Sequence, residues 1–233
     1  MNLHPRRFIR PALGTLCLAT LAALQACNGD ACFGVDVCFN NNNNNNTQTV
    51  ALSGTAATGD ALASAQVTVS CVTGSATTLT DGGGNYRVTV NAALPCVVTV
   101  TSGGTSLHSL AYASGTFNTT PETELMLAYL AAQLGTNTAA LIGNFQGNPR
   151  YQQAMNSANT VQAAQSAVVT NLQQRYSVTL TAPAFLTTSF TVGQPGVDSD
   201  LVALAKAGAI DANGIPDPAA VTLLTQAGAT HPL

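Results

Sequence analysis

The sequence holds no tryptophan, few charges and only three histidines. Just 7% of its 233 residues are charged, against roughly a quarter in ordinary globular domains. Cations are scarcest: of seven Lys and Arg, Arg6, Arg7 and Arg10 crowd the first ten residues, leaving Arg87, Arg150, Arg175 and Lys206. Because neutralisation of phosphates by Lys and Arg dominates nucleic-acid affinity, nucleic acid is excluded as a partner. A basic face adhering to anionic lipid is excluded for the same reason. The polar surface must instead be built from Thr, Ser, Asn and Gln. The hydrophobic content of 46% is enough for a real core, so disorder throughout is not expected.

What is present begins with a three-part leader over residues 1–26. The arginines form its positive end, and an apolar stretch from Ala12 to Leu24 follows. That stretch falls short of the roughly 20 residues a permanent span needs. It ends in Leu24-Gln25-Ala26-Cys27, which resembles the bacterial lipobox: a branched apolar residue, a tolerant position, a small residue, then cysteine. The lipoprotein resemblance implies cleavage before Cys27 and acylation of that cysteine, with membrane lipid as the first partner. Several acyl chains, each buried CH₂ contributing about 0.8 kcal/mol, anchor far more firmly than one. The alternative is ordinary secretion with Cys27 in a disulfide. Asn28 rather than Asp follows the cysteine, which by the family's sorting rule favours the outer over the inner membrane. Three arginines and no acid leave with the leader, taking the formal charge from −3 to −6.

Of the six cysteines, Cys17 leaves with the leader and Cys27 takes lipid, so four remain, an even number suited to an oxidising compartment. Cys71 follows Val67 and Val69 at alternate positions, and Cys96 precedes Val98 and Val100 in the same way. Side chains repeat along a strand with period two, so both cysteines belong to apolar rows facing a core. A Cys71–Cys96 disulfide between two strands is expected, and Cys32 with Cys38 would close a small loop near the anchor. A metal site is not expected: no histidine lies near either pair, and the CxxC spacing of zinc sites is missing.

Residues 27–47 carry the anchor and an unbroken run from Asn40 to Asn46, read as a flexible tether with nothing apolar to bury. From 48 to 116 short Val-, Thr- and Leu-rich segments suggest strands: Val50 to Ser53, Gln66 to Cys71, Tyr86 to Val90, Cys96 to Thr101 and Leu107 to Tyr112. In Thr80-Asp81-Gly82-Gly83-Gly84-Asn85-Tyr86 the glycines permit a tight turn, after which Tyr86, Val88 and Val90 share one face. This turn and strand resemble those of carboxypeptidase regulatory-like domains, which share the transthyretin-like β-sandwich. Ser53-Gly54-Thr55, Ala65-Gln66-Val67-Thr68-Val69 and Leu94-Pro95-Cys96 extend the similarity to a group of envelope lipoproteins built on that module. The resemblance implies a small antiparallel sandwich and no catalytic activity of its own.

Residues 117–233 are expected to be helical. Thr120-Pro121-Glu122-Thr123-Glu124 supplies a cap, a Pro at the first helical position and acids in the first turn, with Leu127, Leu130 and Leu134 on one face. Further helices are read over Thr138 to Phe145, from Asn148-Pro149 through Tyr176 with a kink near Asn156 to Asn159, over Ser199 to Ala207, and from Pro218 to Ala227 with Gly228 as the stop. The fold class expected is α+β and multidomain: the sandwich followed by the helical region.

Chemistry is sparse. Gly104-Thr105-Ser106-Leu107-His108 approaches a serine-nucleophile elbow, but His108 stands where the last glycine belongs and strands flank the site. Glu122 and Glu124, two apart on a helix, do not face each other and suit the helix dipole. Asp211-Ala212-Asn213-Gly214 lacks the further ligands of a calcium loop, and Gly82-Gly83-Gly84 lacks the helix of a phosphate loop. No catalytic residue, cofactor or metal is assigned. The expected function is a non-catalytic envelope module binding or scaffolding protein, peptidoglycan or glycan. The alternatives are an envelope hydrolase and an accessory subunit of a secretion or uptake complex.

Overall fold

The computed structural model describes residues 47–233 and two short strands before them, β1 (Cys32–Phe33) and β2 (Val37–Cys38). The leader, Cys27 and the Asn40 to Asn46 run lie outside the described residues. β1 and β2 pair antiparallel with Cys32 opposite Cys38, and the sulfur atoms of that pair also lie outside what is described.

Residues 47–233 are an α+β assembly of one six-stranded sheet and six α-helices. The strands are β3 (Gln48–Thr55), β4 (Gln66–Thr73), β5 (Ser75–Leu79), β6 (Asn85–Ser102), β7 (Thr105–Ala111) and β8 (Gly115–Thr116). β6 organises the sheet. Its first half pairs antiparallel with β3, from Thr55 opposite Asn85 to Gln48 opposite Ala92. Its second half lies between β4 and β7, with Val98 opposite Val69 on one side and Ser109 on the other. β5 extends the β4 edge, and β8 runs parallel to β3. The segments expected as two strands, Tyr86 to Val90 and Cys96 to Thr101, run through as β6 even though proline offers no N–H to a ladder. Here Pro95 follows a cis peptide bond at the place where pairing passes from β3 to β4.

The apolar rows read from the sequence do face inward. Val67, Val69, Cys71, Cys96, Val98 and Val100 are all fully buried, and Cys71 and Cys96, directly opposite in the ladder, form a disulfide. The tight turn before β6 is held by Asp81, whose carboxylate accepts from the backbone N–H of Gly83 and Asn85.

The helices are α1 (Pro121–Gln133), α2 (Thr138–Asn144), α3 (Pro149–Asn156), α4 (Ala158–Tyr176), α5 (Val197–Lys206) and α6 (Pro218–Ala229). The kink expected near Asn156 is a full break, because Ser157 leaves the helical region and its hydroxyl caps α4 through Thr160 N–H. Along α1 every residue except Glu124 is buried. A helix apolar all round must be covered all round: α1 has β7 on one side and α4 and α6 on others. Buried side chains from Val50 to Leu224 form one continuous cluster. Gly228 is not a stop. It lies inside α6, where a Cβ would overlap the Tyr129 carbonyl of α1, so the missing side chain lets the two helices touch.

Candidate functional site

β7 delivers His108 to the face that carries Leu110, since side chains two apart share a side. That face meets the first turn of α1. There Glu124 Oε1 lies 2.6 Å from His108 Nδ1 and also accepts the backbone N–H of His108. Thr123 Oγ1 stands 2.7 Å from the His108 carbonyl oxygen, so one helical turn grips the strand through three contacts. His108 and Glu124 are partly buried, with side-chain exposures of 25% and 16%. Beside them opens a mainly apolar cleft of about 310 Å³, lined by Ser106, His108, Glu124, Ala128, Pro216 and Val221.

The two residues of the near-elbow do line one cleft, and an acid joins them. They do not form a relay. Ser106 Oγ is bonded to Thr101 Oγ1 at 3.0 Å, whereas His108 uses Nδ1 on Glu124. No hydrogen bond joins Ser106 to His108 among the described residues. A nucleophile needs its base within hydrogen-bond reach, and this serine is turned to the neighbouring strand.

Glu122 goes the opposite way from Glu124, as a two-residue step on a helix requires. It is fully buried, and neither carboxylate oxygen has a hydrogen-bond partner. Burial pushes its carboxyl well above the usual range, and the charge of Asp200 on α5 adds to the shift. Asp200 is itself buried but satisfied, accepting from Thr181 N–H and Oγ1 and from Ala182 N–H. Asp198, one turn-start neighbour away, accepts from Gly193 N–H through one oxygen and leaves the other buried and unbonded.

Comparison with protein-family models, curated proteins and solved structures returns no match to this chain.

Asp211 closes a turn by accepting from Asn213 and Ile215 N–H, and Asp81 does the same in the glycine hairpin. These bonds hold both carboxyls below the usual range. Among the described residues no group of three His, Cys, Asp or Glu could hold a metal ion, and no single helix is long and apolar enough to cross a membrane. A cleft joining Ser106, His108 and an acid is the arrangement the hydrolase alternative calls for, and the acid is Glu124, 16 residues from His108 on a helix whose packing against the strand no spacing rule gives. Asp198 and Asp200 were missed as buried groups, because an acid at a helix start is the ordinary choice on a surface.

Proposed function

We propose that this chain is an exported lipoprotein, processed before Cys27, acylated there and favouring the outer membrane. Its folded part is a non-catalytic module that binds or scaffolds a protein, peptidoglycan or glycan of the envelope. The observation that carries the location is the buried Cys71–Cys96 disulfide, a bond that forms and persists in oxidising compartments outside the cytoplasm. It agrees with the leader and with the cysteine that ends it.

Within this proposal the sheet is a transthyretin-like sandwich. The support is β6, whose two halves serve two sets of partner strands while their apolar rows enter one core cluster. The non-catalytic reading is supported by Ser106, whose hydroxyl is turned to Thr101 and away from the imidazole. The test is turnover. Purified mature protein should release no product from peptidoglycan fragments or from ester and peptide substrates. Product formation that disappears on His108→Gln would overturn the proposal in favour of an envelope hydrolase.

A further inference from the structure

A second cleft, of about 360 Å³, lies across the molecule's β3–β6 ladder and includes Thr55, Asp81, Asn85, Arg87, Ser189 and Phe190 in its lining. Its composition is unlike that of the slot beside His108. Asn85 and Arg87 alternate with the inward-facing Tyr86 and Val88, so they point from the outer face of the ladder, opposite Thr55 and Ser53. The segment after Leu186 closes the side: the Phe190 carbonyl accepts from Thr55 Oγ1 at 3.2 Å, and half-buried Phe190 lines the cleft while packing against the core.

The polar groups here are fixed before any ligand arrives. Asn85 donates through Nδ2 to both oxygens of Asp81, and its Oδ1 shares the single Thr55 hydroxyl hydrogen with the Phe190 carbonyl. The Asp81 carboxylate is ionised well into the acid range, chiefly through the N–H groups of Asn85. Arg87, by contrast, is exposed and has no hydrogen-bond or ion-pair partner among the described residues. Of the four cations beyond the leader, Arg87 is the one that shares a cleft with a fixed carboxylate, a primary amide and several hydroxyls.

We propose that this cleft binds a pyranose unit of a glycan chain. The inference rests on the binding-module reading and names its ligand. The exposed Arg87 guanidinium, a planar fork of N–H donors, can meet adjacent hydroxyl oxygens in pairs. An aromatic ring covers the apolar C–H face of a sugar, and the volume lies within the range of small-ligand sites, about 300–1,000 Å³. Phosphate-rich ligands fit poorly, since Asp81 places a negative charge beside the lone guanidinium.

The test uses ¹⁵N-labelled mature protein titrated with three probes: an N-acetylglucosamine trimer, cellotriose and maltotriose. At least one should bind saturably at millimolar concentration or below, with amide shifts confined to residues 53–55, 81–87, 116 and 189–190. Arg87→Ala should weaken binding by at least about tenfold, as expected for loss of charged hydrogen bonds, whereas Lys206→Ala should leave it unchanged. Phe190→Ala should also weaken it, and if that variant fails to fold, the exposed Arg87 decides alone. No saturable binding by any probe, shifts elsewhere, or an Arg87→Ala protein that binds like wild type would overturn the proposal. A silent cleft would leave the envelope-module reading standing, whereas release of shortened sugars would sink the non-catalytic reading instead.

Discussion

Tyr86 donates its phenolic hydrogen to the carbonyl of Phe117, and Gly54 lies so close to both that a side chain there would overlap them. The contact fastens the strand after the glycine hairpin to the chain leaving β8, two segments 31 residues apart. Burial pushes the Tyr86 hydroxyl far above its ordinary range, so it stays a donor at every working pH.

Two substitutions test this junction. Tyr86→Phe removes the donor and leaves a buried carbonyl, which should cost about 1–3 kcal/mol. Gly54→Ala forces the Phe117 backbone aside and should cost about 1–3 kcal/mol or more. Urea unfolding should show lower midpoints with unchanged slopes, the mark of lost stability without a changed unfolded state.

At Gly228 the expected effect is of the same kind but lies between helices. Gly228→Ala normally favours a helix by up to about 1 kcal/mol. Here it should destabilise, because the added methyl meets the Tyr129 carbonyl and the Ala132 side chain. A thermal midpoint at or above that of the parent would show that α6 does not press on α1 there.

Glu122 makes stability depend on pH. Its carboxyl titrates above 4.5 in the folded protein and near 4.5 in the unfolded chain. As pH rises from that value, the unfolded chain ionises first and loses its proton while the folded one keeps it. Stability therefore falls until the folded carboxyl also ionises, and is flat beyond that point. Glu122→Gln should remove this slope and raise stability at neutral pH. Unfolding measured from pH 4 to pH 8 checks it, and parallel curves for the two proteins would show that Glu122 is not the group responsible.

Replacing both Cys71 and Cys96 by Ala should lower stability by about 3 kcal/mol through the freed loop in the unfolded chain. Because both sulfurs are fully buried, mild reductant should leave the native bond intact and act only once the protein unfolds. Rapid reduction of the folded protein would contradict the buried pairing.

Much of this architecture could be read from periodicity. Val67, Val69 and Cys71 alternate, as do Cys96, Val98 and Val100, and a period of two with one buried face leaves little freedom of register. Thr120-Pro121 announced α1 because both residues suit a helix start. β5 was missed because Ser75, Thr77 and Leu79 are exposed on an edge strand, so no apolar row marks it. Gly228 was mistaken for a stop because close helix contact and helix termination both call for glycine. The candidate site was legible only in part: Ser106 and His108 share a strand face, but the partner of each comes from another element. Nothing in the sequence tells that Glu124 turns to His108 while Glu122 turns inward.

The most direct measurement is the intact mass of the protein recovered from the envelope of its native cells, followed by sequencing of its first peptide. A chain beginning at Cys27, heavier by its acyl groups and lighter by four hydrogens for the Cys71–Cys96 and Cys32–Cys38 bonds, is predicted. An uncleaved leader, or a free thiol at Cys27, would contradict it.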